Sequence, residues 1–444
     1  MLKVHSHKIF KLALVTIIFF SISNELFSQD ITTLRSVNEA ISLALKNNST
    51  IINAYLDKLK ADKKVSEVYS ENLVPTLNLN SRYSRAFKKQ VFEIAGERFD
   101  IGSDNLIIHT IDATESLPIL GTPIFAGIRI AEYFASTQKE NILLVENDVK
   151  NQVKRSYYTV LLAKAVVEVN AASLENAQAN FTVVNSKYNG GVATEFDYLR
   201  AKVRVDNAIP LLSKSQRSLE ISQKSLLNAI GLKDQETIDV SGELTYDSLE
   251  VWGNTDYMIT AISENYVAVR QLRLNKKINE ELVNVDKANY LPKLYLFGQY
   301  SLGTQENDGK SLSKYGFYNT LNAGLGLQWD LNLFRNSYKV DQSEIEVKKT
   351  NEQISDTKQK LKLLSQSAII AIEDAKERIV AQKKTLSLAE RGLELANASY
   401  RAGVLNQIDV QDSQQILNES RLAYLQAIYD YQIAKAELEK LLER

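Results

Sequence analysis

The chain has 444 residues, a length that allows two to three ordinary domains, and its 44% hydrophobic content allows a large core. Its 53 basic and 54 acidic side chains nearly cancel, so no basic excess points to a nucleic-acid partner. The absence of Cys excludes disulfides, thiol catalysis and Cys-based metal sites.

The segment 1–28 is predicted to form a secretory signal peptide. Three Lys precede an apolar stretch at residues 12–20, and the positions from 21 to 28 are mostly small and polar. The apolar stretch is too short for a spanning helix, although a membrane anchor is the alternative. Cleavage leaves His109 as the only His, so no metal site or other cofactor is expected. A secreted chain without Cys is typical of a Gram-negative cell envelope.

Two parts of the chain repeat one another. The segment Tyr188-Asn-Gly-Gly-Val-Ala-Thr-Glu-Phe-Asp197 aligns with Tyr400-Arg-Ala-Gly-Val-Leu-Asn-Gln-Ile-Asp409. Upstream, Asn72-Leu-Val-Pro-Thr-Leu-Asn-Leu79 aligns with Asn289-Tyr-Leu-Pro-Lys-Leu-Tyr-Leu296 at nearly the same spacing. The chain is therefore predicted to be a tandem duplication of residues 36–232 and 255–444, with a connector at residues 233–254.

Each half contains a long stretch whose hydrophobic period is seven. The repeated positions are Val153, Val160, Val167, Leu174, Phe181 and Tyr188 in the first half, and Ile372, Ile379, Leu386, Leu393 and Tyr400 in the second. Sustained heptads predict long helices in coiled-coil packing, at about 134–188 and about 340–400. Shorter helices are predicted near residues 40–72, 196–231, 258–289 and 408–442.

Between the short and the long helices the hydrophobic period changes to two. Every odd position from Leu321 to Leu333 is apolar, whereas the even positions are polar or Gly. This alternation, over a length that crosses a bilayer, predicts a transmembrane β-strand at about 319–333. Weaker alternation predicts strands at about 74–85, 107–120 and 293–302, the last interrupted by Tyr295 and Phe297. A soluble two-sided sheet is the alternative interpretation.

Four strands cannot close a barrel, and open sheet edges cannot face lipid. The chain is therefore predicted to oligomerise. Three copies would supply twelve strands, an even number that is typical of transmembrane barrels. The longer polar connections between the strands, at about 86–106 and about 303–318, are placed outside the cell.

The duplicated helix–strand–strand–helix unit, the Leu-Pro or Val-Pro pair before each strand hairpin and the repeated Tyr-x-x-Gly-Val-x-x-x-x-Asp motif together resemble the TolC-like outer-membrane efflux family. The resemblance covers nearly the whole chain after the predicted signal peptide. It implies a mainly α protein with a β-barrel part, in which a trimeric transmembrane β-barrel continues into a long periplasmic α-helical coiled-coil barrel. It also implies an exit duct in the outer membrane for a tripartite efflux pump or a type I secretion system.

The two repeated motifs are predicted to form helical hairpins at residues 189–195 and 401–407. Gly191 and Gly403 suit a left-handed residue that ends a helix. Thr194 and Asn406 are suited to cap the helices that follow, with Asp197 and Asp409 in the first turn. This capping role is a purely structural explanation of the motif.

The resemblance implies two further roles for these hairpins. Their tips, at Gly190, Gly191, Val192, Gly403 and Val404, correspond to the surface that docks a periplasmic adaptor protein in the family. The positions that correspond to the periplasmic gate are Asp197, Tyr400, Asp409 and Asp412. If the Tyr400 hydroxyl bonds across the helices, Asp197 is its expected partner. A gate arginine of the family is replaced here by Leu405, and Arg200 is a candidate substitute.

The expected partners are two further copies of the chain, outer-membrane lipid, a periplasmic adaptor and an inner-membrane pump of the resistance-nodulation-division (RND) or ATP-binding-cassette (ABC) type. No nucleophile–base pair or metal-ligand set can be assembled, so enzyme activity is not expected. The alternative function is a periplasmic coiled-coil scaffold without a pore.

Overall fold

In the computed structural model, the described residues are 31–116, 123–232, 237–246 and 253–443. The predicted signal peptide lies outside these ranges, as do the end of the strand predicted at 107–120 and parts of the predicted connector. The described helices are α1 (Val37–Asn47), α2 (Ser49–Leu73), α3 (Ile124–Asn189), α4 (Glu195–Ile230), α5 (Thr255–Asn265), α6 (Val267–Ala288), α7 (Leu333–Arg401) and α8 (Gln407–Leu441). The described strands are β1 (Ile31–Leu34), β2 (Thr76–Arg85), β3 (Gln90–Ile94), β4 (Glu97–Ile101), β5 (Asn105–Ser116), β6 (Thr237–Val240), β7 (Lys293–Glu306) and β8 (Tyr318–Gln328), with one 3₁₀ turn at Leu312–Lys314.

This order confirms the predicted mainly α fold, built from a duplicated helix–strand–strand–helix unit. The chain divides into two compact units. One unit takes the described residues within Met1–Asn48, Gln152–Asp247 and Asp374–Ile433, and the other takes those within Ser49–Asn151, Ser248–Glu373 and Ala434–Arg444.

The first unit contains both helical hairpins and a small parallel sheet that the sequence does not predict. Strand β1 pairs with β6 over four residues, which joins the segment before α1 to the connector. Leu34 and Val240 are fully buried there. Gly231 ends α4 with φ +84°, and a Cβ at this position would lie 2.6 Å from the carbonyl oxygen of Asn47. Only Gly allows the end of α4 to approach the end of α1 so closely.

The second unit contains the main sheet. Four antiparallel strands lie in the order β2-β5-β7-β8, so that β2 and β8 form its two edges. A separate hairpin of β3 and β4 stands between β2 and β5 in sequence, where a polar connection is predicted.

Several predicted boundaries differ from the structure. The long helices begin at Ile124 and Leu333, well before the predicted starts at 134 and 340. Pro123 directly precedes the first of them. At the start of a helix a backbone N–H has no partner within the helix, so the missing N–H of Pro costs no hydrogen bond there. The predicted helices at 40–72 and 258–289 are each divided, at Asn48 and Tyr266, by a residue with extended ψ.

The heptad positions are buried to different extents along the long helices. Val153, Val160, Ile372 and Ile379 are at most 2% exposed, whereas Tyr188 is 38% exposed. Three small residues of α7 are also buried, namely Ala375, Ala389 and Ala396. None of the helices in the described ranges has a stretch apolar enough to cross a lipid bilayer.

Candidate functional site

The register of the main sheet separates a polar face from an apolar face. Residues paired directly across antiparallel strands project from the same face. One such row across all four strands is polar, with Asn78, Asp112, Gln299 and Asn322. The next row, on the opposite face, is apolar, with Leu79, Ile111, Tyr300 and Leu321. In these two rows, the alternation seen most clearly in β8 extends across all four strands, whereas the row of Ser81, His109, Leu302 and Asn319 on the apolar face is mixed.

The polar face is held together by hydrogen bonds to one carboxylate. Asp112 accepts from Gln299 Nε2 at 2.7 Å, from Asn80 Nδ2 at 3.2 Å and from Thr110 Oγ1 at 3.4 Å. These bonds link strands β2, β5 and β7. On the opposite face, His109 Nδ1 lies 2.7 Å from Ser81 Oγ, an ordinary polar contact.

No element in the described ranges forms a layer over the apolar face of the main sheet. Leu79 is 74% exposed and Leu321 is 76% exposed. Large apolar side chains at this exposure are unfavourable in water, and a contiguous row of them marks a surface that meets lipid or another protein.

The two aromatic residues that interrupt the alternation of β7 lie on the polar face. Tyr295 is paired with Gly326, and Phe297 is paired with Gly324. A Cβ at Gly326 would lie 2.2 Å from the Tyr295 ring, and one at Gly324 would lie 3.0 Å from the Phe297 ring. The rings therefore lie over the glycines of the neighbouring strand, an arrangement in which an aromatic side chain covers an exposed Gly.

Strand β8 is shorter than predicted, because it ends at Gln328 rather than at 333. Asp330 accepts hydrogen bonds from the backbone N–H of Asn332 and from the side chain of Arg335, and this turn leads directly into α7. Trp329 follows the strand, and its Nε1 donates to the carbonyl oxygen of Tyr290 at 3.2 Å. Its position at the strand end fits an interfacial aromatic residue.

The two helical hairpins of the first unit have the same backbone geometry. Gly191 and Gly403 adopt φ +74° and φ +75°. The N–H of Val192 donates to the carbonyl oxygen of Lys187 at 2.8 Å, and the N–H of Val404 donates to that of Ser399 at 2.9 Å. Both turns therefore end a helix with a left-handed Gly, as predicted.

The helices that follow both turns begin with reciprocal side-chain caps. Thr194 Oγ1 accepts from the N–H of Asp197 at 3.2 Å, and Asp197 Oδ2 accepts from the N–H of Thr194 at 3.3 Å. Asn406 and Asp409 make the equivalent pair of bonds, both at 3.1 Å. The hydroxyl and the amide of Thr194 lower the pKa of Asp197. The predicted capping role is thus confirmed for both carboxylates.

The other two gate residues predicted from the family have different surroundings. The hydroxyl of Tyr400 accepts from Lys187 Nζ at 3.2 Å, and the same ammonium lies 5.7 Å from the centre of the Tyr400 ring. The structure thus pairs Tyr400 with a Lys of the other hairpin rather than with Asp197. Asp412 is exposed, and its charge opposes the lowering of the pKa of Arg204.

The structure thereby adds two cations that sequence reasoning missed, Lys187 and Arg204. Arg200, the predicted substitute for the missing gate arginine, interacts with Asp197. Arg200 and Arg204 both line a cavity of ≈ 680 Å³ between α3, α4, α7 and α8, whose other lining groups include many Asn and Gln amides. Desolvation lowers the pKa of Arg204, and Asp412 partly opposes that shift.

The tips themselves present apolar side chains to solvent. Val192 is 80% exposed and Val404 is 77% exposed, beside Gly190, Gly191 and Gly403. An exposed Val on a tight turn makes no contribution to the core. Its position suits contact with another molecule.

The family model of outer membrane efflux proteins matches residues 40–232 and 259–444 of this chain. The chain is 24% identical, over 339 residues, to the cobalt-zinc-cadmium resistance protein CzcC of Cupriavidus metallidurans, covering 76% of this chain and 77% of CzcC. It is 19% identical to outer membrane protein TolC of Vibrio cholerae, covering 69% of this chain and 68% of TolC. Its structure is similar to the CmeC outer membrane channel of Campylobacter jejuni, with a TM-score of 0.75, 14% identity, and coverage of 94% of this chain and 90% of CmeC.

The family match covers both halves of the duplication, and the structural likeness covers both the helices and the sheet. The comparisons give no support to the alternative of a scaffold without a pore. The chain belongs to the outer membrane efflux protein family, and it is an outer-membrane efflux channel whose helical part lies in the periplasm.

Proposed function

We propose that three copies of the chain form a closed duct. The observation that carries this proposal is the four-stranded sheet with one apolar face and two open edges, β2 and β8. An open edge in lipid leaves backbone N–H and C=O groups without partners, at a cost of several kcal/mol for each group. Strand β8 of one copy and β2 of the next run in opposite directions, so their pairing continues the antiparallel order. Three copies then give twelve strands.

The polar face of the sheet lines the lumen of this barrel, and the apolar face meets lipid. The connections between strands at residues 86–106 and 303–318 lie outside the cell. The amino-terminal segment 1–28 directs secretion and is removed. Substrates cross passively, since the energy for export is supplied by an inner-membrane pump.

The hairpin tips carry the contact to the rest of the export system. Gly190, Gly191, Val192, Gly403 and Val404 dock a periplasmic adaptor, which connects the duct to an RND or ABC pump. The matching φ values of the two tips and the exposure of both Val residues support one shared docking mode for the two hairpins.

The same end of the helices forms the closed gate. The residues that we assign to this gate are Asp197, Tyr400, Asp409 and Asp412. Their hydrogen bonds indicate that they have different roles. Asp197 and Asp409 are bound to the caps of their own helices. Asp412 is exposed, lies outside the cap of its helix and interacts electrostatically with Arg204, so it is the carboxylate that we assign to the lumen. In the trimer, three copies of Asp412 form a ring that attracts cations.

Conductance of purified trimers in planar bilayers tests the proposed role of Asp412 in the gate. We expect Asp412→Asn to reduce cation selectivity and block by multivalent cations. Asp409→Asn is the matched control, because it removes a nearby charge on the same helix that is engaged in a cap. The double variant Asp409→Asn with Asp412→Asn should resemble Asp412→Asn. If the double variant has the selectivity and block of wild type, these carboxylates only stabilise the helix, and the gate lies elsewhere.

A further inference from the structure

The β3–β4 hairpin has one polar and one apolar face. Glu93 and Arg98 are paired directly and form an ion pair at 3.6 Å on the polar face. The opposite face carries Phe92 paired with Phe99 at its centre, with Ile94 opposite Glu97 on one side and Ile101 opposite Gln90 on the other. These four apolar side chains are between 47% and 61% exposed. An isolated two-stranded hairpin is marginally stable in water, so a surface that covers this face would stabilise it.

A second apolar surface lies in the loop before β8. Leu312, in the 3₁₀ turn, is 70% exposed, and Phe317, directly before the strand, is 50% exposed. Within one chain, polar contacts join this loop to the base of the hairpin. Lys89 Nζ donates to Asn307 at 2.8 Å, and Arg85 bonds to Asp308 at 2.7 Å.

The topology of the sheet brings these two surfaces together between copies. The hairpin follows edge strand β2, and the loop precedes the other edge strand, β8. The pairs Arg85–Asn105, Asn105–Glu306 and Gly303–Tyr318 show that both lie at the same end of the sheet. When β8 of one copy pairs with β2 of the next, its loop therefore meets that copy's hairpin.

We propose that the apolar face of the β3–β4 hairpin is covered by Leu312 and Phe317 of a neighbouring copy of the same chain. This interaction rests on the proposed trimer. Besides the pairing of edge strands, it gives neighbouring copies a second contact, at the end of the barrel where the loops lie. Burying these aromatic and aliphatic side chains against each other removes from water the apolar surface that both elements expose in the single chain. The three contacts of a trimer form a closed ring.

Thiol cross-linking tests the contact directly, because the chain has no Cys of its own. One copy carries Phe99→Cys and a differently tagged, co-expressed copy carries Leu312→Cys. We expect oxidation to join the two tagged chains on a non-reducing denaturing gel. The matched control replaces Phe99→Cys with Val91→Cys, which lies on the opposite face of the same hairpin and is similarly exposed. This control should leave the chains separate.

Failure of the contact can be distinguished from failure of the trimer. The mass of the wild-type protein in detergent reports the trimer independently. If the protein is trimeric but Phe99→Cys and Leu312→Cys do not join, or join no better than the Val91→Cys control, the hairpin face meets lipid or the lumen instead and the proposal is overturned. A monomeric mass would overturn both proposals.

Discussion

Replacing Leu321 with Arg places a charge on the apolar face of the main sheet. Strand β8 runs over Tyr318–Gln328, so Ala323 is its midpoint. Leu321 lies two positions from that midpoint and Leu327 lies four positions from it. With a rise of about 3.4 Å per residue and a tilt of about 40°, these positions are about 5 Å and about 10 Å from the middle of the sheet along the membrane normal.

The depth of each position sets the expected cost. Arg on the lipid face costs about 2–4 kcal/mol at the midplane and about 0–1 kcal/mol near the interface. We therefore expect Leu321→Arg to cost about 2–4 kcal/mol and Leu327→Arg to cost far less, close to the interface value. Asn322→Arg, on the polar face next to Leu321, should be tolerated because that face meets water in the lumen.

The free energy of unfolding of the variants in lipid vesicles, measured by guanidinium titration, checks this order. The amount of heat-sensitive trimer in outer-membrane fractions gives a second readout. Equal losses for Leu321→Arg and Asn322→Arg would refute the assignment of the two faces. Equal losses for Leu321→Arg and Leu327→Arg would refute the placement of the midplane at the centre of β8.

Three further predictions concern the tips and the sheet. Gly403→Val should weaken binding of the adaptor, measured by pull-down, while the trimer persists, because φ +75° strains a β-branched residue on a turn outside the core. Gly326→Ala should reduce the heat resistance of the trimer, since its Cβ would meet the Tyr295 ring, whereas Gly298→Ala meets nothing closer than 4.0 Å and should not. Thr194→Ala should cost about 0.5–2 kcal/mol through the lost cap. The pKa of Asp197 is lowered in the fold, so its carboxylate stabilises the protein above the pKa of an unfolded Asp, and this stabilisation is lost as the pH falls. Acid titration followed by circular dichroism should therefore show a smaller loss of stability for Thr194→Ala than for wild type.

The strands could be predicted from the sequence because each face of a sheet imposes a period of two. The strict pattern from Leu321 identified β8, and the structure extends the same two faces to β2, β5 and β7. The roles of Tyr295 and Phe297 could not be predicted. Their explanation depends on the register that places Gly324 and Gly326 opposite them, and the register is a contact between strands rather than a property of one segment.

The helix boundaries were less predictable than the helices themselves. Periodicity predicts where an apolar face repeats, but the break at Asn48 coincides with a tertiary contact. The side chain of Asn48 donates to the carbonyl oxygen of Ala229 at 2.9 Å, where α4 ends. A polar contact between positions so far apart in the chain leaves no periodic pattern in the sequence.

At the hairpin tips, the duplication determines the backbone of the two turns, whereas differences at single positions change the side-chain contacts. The repeated Gly and cap residues produce matching turns, so their backbone geometry follows from the motif. The tyrosines that precede the turns differ in their partners. Tyr188 stacks on Tyr198 of its own hairpin, with ring centres 5.1 Å apart, but the position equivalent to Tyr198 is Val410.

Because Val410 offers no ring, Tyr400 lacks the stacking partner that its counterpart Tyr188 has within its own hairpin. Its hydroxyl and its ring instead contact Lys187 of the first hairpin. A similar difference separates Arg200 from its counterpart Asp412, which gives the two hairpins opposite charges at equivalent positions. The duplication thus produces two equal turns, while the divergence at positions 410 and 412 accompanies interactions between the hairpins that are not repeated: Tyr400 contacts Lys187, and Asp412 interacts with Arg204.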